Sequence, residues 1–235
     1  MAKNKTAYVC SECGADFTRW QGQCSECKEW NTITEVRLGS VSPAGKSARY
    51  TGYAGAVGSQ VQTLAEIATT EIPRFTSGFK ELDRVLGGGV VPGSAILIGG
   101  NPGAGKSTLL LQTMCGLAER MKTLYVTGEE SLQQVAMRAN RLGLPTDKLR
   151  MLSETSVEQI CLIAQQEQPQ IMVIDSIQVM HVADVQSSPG SVSQVREAAA
   201  LLTRYAKQNH VAIFMVGHVT KDGSLAGPKV LEHCI

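Results

Sequence analysis

From residue 64 onward the chain alternates two hydrophobic patterns. Mostly apolar runs of four to six residues stand at 95–99, 123–127, 149–152, 171–175 and 211–216, without a polar alternation. Such runs predict strands covered on both faces, as in a parallel sheet. Between them apolar residues recur at steps of three and four, the period of a helix with one buried face. One helix is predicted from Lys106 to about Arg120. A second opens at Ser131, where Gln134 completes a capping box; its apolar face is Leu132, Val135, Ala136, Ala139 and Leu142, and it ends at Gly143. A third repeats the box at Ser156 and Gln159 and stops before Pro169. The fourth covers about 193–208, with Val195, Ala198, Ala199, Leu202 and Tyr205 as its buried stripe. Alternation of this kind predicts an α/β fold, a mostly parallel sheet flanked by helices.

The pattern dissolves towards the N-terminus. From Val36 to about Gln62, Gly, Ser, Ala and scattered basic residues replace it, and this stretch reads as a flexible, weakly basic linker. The expected organisation is a small module at 1–34, a linker at 35–62 and a core at 63–235. A chain of 235 residues suffices for one sizeable core and an appendage. Its net charge of +1 gives no general attraction for a polyanion. No apolar run reaches the roughly eighteen residues that a membrane helix needs. The start, Met1-Ala2-Lys3-Asn4-Lys5, lacks the apolar stretch of a signal peptide, so the expected compartment is the cytoplasm.

In a reducing compartment seven cysteines call for an explanation other than structural disulfides. Four are concentrated near the N-terminus, as Cys10-x-x-Cys13 and Cys24-x-x-Cys27. Paired knuckles of this type set four thiolates around one tetrahedral ion, and a structural zinc is the expected occupant. About thirty residues cannot build an independent core, so metal has to supply the folding energy, on the order of 10–16 kcal/mol. The competing readings are a redox dithiol and a pair of disulfides. Neither knuckle opens a helix after a strand, which argues against the redox reading. Gly14, Trp20 and Gly22 suit a short hairpin with an aromatic lid. Cys115, Cys161 and Cys234 fall in apolar or terminal segments and read as small hydrophobes.

The residues Gly100-Asn101-Pro102-Gly103-Ala104-Gly105-Lys106-Ser107 match G-x-x-x-x-G-K-[ST] without substitution. They stand between a predicted strand and a predicted helix that continues through Thr108, the context that this motif requires. Glycines let backbone N–H groups converge on one anion, and the helix N-terminus adds unsatisfied donors. Lys106 is placed to neutralise β/γ-phosphates, and the Ser107 hydroxyl to hold Mg²⁺. The alternative is a glycine-rich turn bearing a surface lysine. A nucleoside triphosphate with Mg²⁺ is the expected ligand.

Three further strand ends carry chemistry. Asp175 closes the run 171–175 and is a candidate second magnesium anchor, or else a cap. Glu129 and Glu130 follow the run 123–127; one is a candidate activator of water, against a role in capping the next helix. His218 follows the last run and is either a γ-phosphate relay or a structural histidine.

The segment 76–89, followed by Pro92-Gly93, together with Glu129 and His218 at their strand ends, is similar to the RecA-like recombinase ATPases. With the four-cysteine knuckle and the stretches 126–130 and 216–221, the chain resembles a bacterial DNA repair branch of that family. The resemblance implies an ATP hydrolase, a motor acting on single-stranded and branched DNA that extends recombination intermediates by branch migration alongside RecA. It also implies a ring-shaped homo-oligomer, a hexamer. On the matching positions Lys106 and Ser107 become phosphate and magnesium ligands, Glu129 (or Glu130) the water activator, Asp175 the second anchor and His218 the γ-phosphate sensor. The loops 181–192 and 220–229 take the positions that line the DNA channel, with Lys221 and Lys229 as candidate phosphate contacts. Members continue further, with more strands, a Lys-Asn-Arg-Phe-Gly motif and a Lon-like domain. The chain is therefore expected to be an N-terminal fragment that binds ATP and turns it over poorly. Two other classes of function remain open, a nucleotide-switched scaffold and a zinc-ribbon adaptor.

Overall fold

The computed structural model describes residues 5–10, 12, 16–38, 63, 65 and 73–218. The chain divides into two compact units, Met1–Thr51 and Gly52–Ile235. In the first, strand β1 (Lys5–Cys10) pairs antiparallel with β2 (Asp16–Phe17) on one side and β3 (Ile33–Leu38) on the other. The linker expected at 35–62 falls almost wholly outside the described residues.

In the second unit five strands form one parallel sheet in the order β4-β8-β7-β5-β6. They are β4 (Ala95–Gly100), β5 (Thr123–Thr127), β6 (Arg150–Ser153), β7 (Ile171–Asp175) and β8 (Ala212–His218). The helices are α1 (Lys80–Val85), α2 (Lys106–Ala118), α3 (Leu132–Arg141), α4 (Val157–Glu167) and α5 (Val192–Asn209), with a 3-10 turn at Ile177–Val179. Strand β8, last in the described sequence, enters the sheet between β4 and β7.

Strand periodicity sorts the two cores. Tyr125, Val173, Phe214 and Val216 face one side and pack with Leu110, Leu111 and Met114 of α2 and Val135 of α3. Their neighbours Leu124, Val126, Met172, Ile174, Ile213 and Met215 face the other side, against Val157 and Ile160 of α4 and Val195, Ala198 and Leu202 of α5. Helices thus cover both faces, as the continuous apolar runs predict.

The expectation of full burial holds for β5 and β7 and fails for β6 and β4. Strand β6 is an edge strand, with Arg150 and Ser153 exposed; β4 is at the other edge of the described sheet and is mostly half-buried. The capping box of α3 forms as predicted, with the Ser131 hydroxyl accepting from Gln134 N and Ser131 N donating to Gln134 Oε1. Of the five apolar residues expected on its face only Val135 and Ala139 are buried, and Leu132 remains 43 % exposed. Packing against α2 and the edge strand β6 covers a narrower stripe than a helix over a sheet centre would. Helix α1 was not expected as an element; Asp83 anchors it by accepting from Thr76 Oγ1 at 2.5 Å and Ser77 N at 2.7 Å. Among the described residues no helix is long and apolar enough to cross a membrane.

Candidate active site and metal centre

The glycine-rich loop runs from the end of β4 into α2. Gly103 (φ 80°) and Gly105 (φ 86°) take left-handed conformations that a side chain strains, which explains glycine at both positions. Gly105 is the N-cap of α2 and offers no side-chain cap, so the first-turn N–H groups are not taken by a capping side chain. An anion placed there would meet those donors and the positive end of the helix dipole. Lys106 is only 8 % exposed, and its ammonium donates to Gly100 O at 2.7 Å and Asn101 O at 2.9 Å. The loop thereby keeps its cation over its own mouth. Residues Asn101, Pro102, Gly103 and Ala104 are exposed, and Ser107 and Thr108 half-buried.

The parallel register brings the other strand ends to the same edge. Gly100 pairs with His218, and Thr127 pairs with Asp175. Gly128 N then donates to Asp175 O at 2.9 Å. Asp175, like Tyr125 and Val173, is at an odd strand position and so belongs to the sheet face that α2 covers. Its carboxylate, 8 % exposed, accepts a 2.5 Å bond at Oδ2 from the Tyr125 hydroxyl. Burial, reinforced by the Asp175 charge, pushes the Tyr125 phenol far above its ordinary range, so it stays protonated and acts as donor.

The adjacent carboxylates turn to different partners. Glu129 Oε1 accepts from the Ser176 hydroxyl and lies 3.2 Å from His218 Nε2. Glu130 instead takes Arg138 Nη2 with both of its oxygens. The Glu130 main chain is also tied to Thr127, whose hydroxyl donates to Glu130 O at 2.8 Å. Glu129 therefore sits between the ends of β7 and β8, and Glu130 is committed to α3. His218 Nδ1 is buried without a hydrogen-bond partner.

Sequence reasoning missed Tyr125, Arg138 and Ser176. Ser176 had a usable signal, since it directly follows Asp175. Tyr125 and Arg138 read as members of a strand and of a helix, and only the pairing of β5 with β7 and the docking of α3 reveal their partners. Gly128 is a further close approach: a Cβ there would lie 2.6 Å from Val179 Cγ2 and 3.1 Å from Met180 Cε. Gly128→Ala is expected to cost about 1–3 kcal/mol by overpacking and to displace Glu129. A thermal melt should show a midpoint lowered by several degrees; an unchanged melt would mean that the turn at Ile177–Val179 yields freely.

The segment after β7 is held from inside. Buried Gln194 donates through Nε2 to Val185 O at 2.9 Å and Ser187 O at 3.0 Å, and accepts from Val182 N at 2.8 Å. This buried amide joins Val182, Val185 and Ser187, while Ala183 N donates to Glu158 Oε1 and His181 N to Thr155 O. Lys221, Lys229 and the second expected loop lie outside the described residues, as does Cys234.

In the first unit Cys10, Cys24 and Cys27 have sulfurs all within 4.8 Å of one another, with Cys10 Sγ and Cys27 Sγ 3.6 Å apart. Two thiolates bound tetrahedrally at about 2.3 Å stand about 3.8 Å apart, so the arrangement fits zinc. Cys13 lies outside the described residues. The cover over the cysteines comes from Tyr8, Phe17 and Ile33. The expected aromatic lid is not formed by Trp20, which is 57 % exposed and donates through Nε1 to Ile33 O at 3.1 Å. Cys115 and Cys161 pack among apolar residues as expected, and burial pushes the Cys161 thiol up to about 12.

Comparisons with known proteins agree with both units. A family model described as "AAA domain" matches residues 61–224, and one described as "Rubredoxin metal binding domain" matches residues 8–35. The chain is 76 % identical over 232 residues to the DNA repair protein RadA of Escherichia coli, covering 98 % of this chain and 50 % of that protein. It is 59 % identical over 237 residues to the RadA of Pseudomonas aeruginosa and 45 % over 236 residues to that of Bacillus subtilis, covering all of this chain and 51 % of each relative. The chain thus spans about half the length of the curated relatives that it matches. A zinc ribbon implies a structural Zn²⁺ on the cysteine cluster, and the AAA domain implies Mg²⁺ with ATP at the glycine-rich loop. With a P-loop between β4 and α2 of a parallel sheet, and a family match over most of its length, this chain belongs to the AAA-domain family.

Proposed function

We propose that the chain carries the ATP-hydrolysing core of a DNA repair protein that acts on single-stranded DNA and recombination intermediates. The observation that carries this reading is the convergence of the P-loop, Asp175, Glu129 and His218 on one sheet edge. Lys106 leaves its two carbonyls for the β/γ-phosphates, which the N–H groups from Gly103 to Thr108 cradle. Bound Mg²⁺ neutralises charge on the phosphates. Ser107 and Asp175 would hold that ion, with Tyr125 already occupying one oxygen of Asp175. Glu129 orients and deprotonates the attacking water. His218, between Gly100 and Glu129, senses the γ-phosphate. Glu130 is the less suitable base, because Arg138 occupies both its oxygens.

DNA is the proposed partner because the relatives are DNA repair proteins and the chain has the RecA-like pattern. The whole protein is a cytoplasmic homohexameric ring that promotes branch migration alongside RecA, with the zinc module tethered through 35–62. Loops 181–192 and 220–229 are the proposed DNA-contacting segments, with Lys221 and Lys229 as candidate phosphate contacts. The test is ATP turnover by the full-length protein with and without single-stranded DNA. Turnover stimulated by DNA is expected, and Lys106→Ala should abolish it in both conditions. Turnover indifferent to DNA would support the nucleotide-switched scaffold. Absence of both turnover and DNA binding would leave the zinc-ribbon adaptor.

A further inference from the structure

We infer that Tyr125 is a positioning residue for magnesium at this site, acting through Asp175. The inference rests on the proposed role of Asp175 and adds a residue that no motif marks. Tyr125 is fully buried in the middle of β5, among Leu110, Leu111, Met114 and Phe214. A phenol in that position has to spend its hydroxyl on a partner, or a buried donor is left unsatisfied. The partner is Asp175 Oδ2, at 2.5 Å on the adjacent strand. In the parallel register Tyr125 stands opposite Val173, so its ring runs along the sheet face for two residues before its hydroxyl meets the carboxylate. Ring and carboxylate thus share the face that α2, the P-loop helix, covers.

This bond does two things to Asp175. It fixes the carboxylate rotamer, because rotation would break a short charge-assisted bond. It also reserves Oδ2, so that Oδ1 is the oxygen available to the ion or to one of its waters. Asp175 is paired with Thr127 in the ladder, its carbonyl accepts from Gly128 N, and its carboxylate accepts from the Tyr125 hydroxyl. Groups that hold a metal-binding carboxylate from behind commonly change metal affinity by about 10–100-fold when removed.

Tyr125→Phe keeps the ring and removes only the oxygen. The experiment titrates Mg²⁺ into the 235-residue chain in the presence of ATP and reads nucleotide binding by calorimetry, with the melting midpoint measured in parallel. The expected result is an increase of about tenfold or more in the Mg²⁺ concentration for half-saturation, with ATP affinity in chelator unchanged within twofold. Asp175→Asn is measured beside it. If Asp175→Asn shifts the Mg²⁺ dependence and Tyr125→Phe does not, the inference is wrong and the magnesium role of Asp175 stands. If Asp175→Asn leaves the dependence unchanged, the role of Asp175 fails and the inference falls with it. A Tyr125→Phe chain that loses affinity equally with and without Mg²⁺ would show a packing role alone, and would also overturn the inference. Should Tyr125→Phe melt before the titration can be read, Tyr125→Trp retains a buried ring with a donor at another position. Normal Mg²⁺ dependence in that variant would count against positioning by the hydroxyl.

Discussion

Glu129→Gln in the full-length protein is expected to bind ATP normally and to lose about 10²–10⁴-fold in turnover, the usual contribution of a positioned general base. The amide keeps the shape of the carboxylate and can still accept from Ser176, so the fold of the site should survive. What disappears is the group that takes a proton from water. Glu130→Gln should behave differently. Arg138 would lose the carboxylate that holds its Nη2, while its Nη1 is already buried without a hydrogen-bond partner. Removing one member of a partly buried ion pair leaves the other charge poorly compensated. That variant should therefore melt several degrees lower and keep turnover within about tenfold of the original. Single-turnover hydrolysis and a thermal melt of both variants separate these effects. A dead Glu130→Gln beside an active Glu129→Gln would exchange the two roles.

The second large effect concerns the cysteine unit. Cys10→Ser is expected to release the metal and melt the N-terminal module, because a structural zinc contributes on the order of 10–16 kcal/mol of folding energy to such modules. The second compact unit should stay folded, since among the described residues its cores draw on residues from Phe75 onward. The chain has two tryptophans, Trp20 and Trp30, and both are in the module. Tryptophan emission thus reports the module alone, while far-ultraviolet circular dichroism is dominated by the α/β core. Zinc content should fall to zero, emission should change, and the helical signal should persist. Chelation of the unmodified protein should reproduce this result. Lowering the pH should act in the same direction, because protons compete with zinc for the thiolates, so metal retention weakens as pH falls. One zinc per chain in Cys10→Ser would overturn the ligand assignment.

Both predictions draw on features of unequal visibility in the sequence. The P-loop is a local device: eight consecutive residues contain the glycines, the lysine and the hydroxyl, and their strand-to-helix context is legible from adjacent hydrophobic runs. The same holds for the capping box at Ser131 and the knuckle Cys24-x-x-Cys27, which depend on residues three apart; at Ser156 only half of the predicted box forms, because Ser156 N donates to Glu154. The apolar runs at 123–127 and 171–175 announced strands buried on both faces, and β5 and β7 coincide with them. The run at 149–152 announced the same and became β6, a half-exposed edge of the described sheet, because position within a sheet is not a property of the run itself.

What the tertiary structure decided is everything that depends on which strands are neighbours and how they are aligned. The insertion of β8 between β4 and β7 brings His218 beside Gly100 and within 3.2 Å of Glu129, across 89 residues of chain. The docking of α3 gives Glu130 its arginine and so distinguishes two carboxylates that are equivalent in the sequence. The pairing of β5 with β7 turns an ordinary strand tyrosine into the partner of Asp175. Local chemistry is written in residue order because its geometry spans a few bonds. Relations between distant residues are set by register and packing, where each contact depends on the burial of many others at once, and no short segment contains that information.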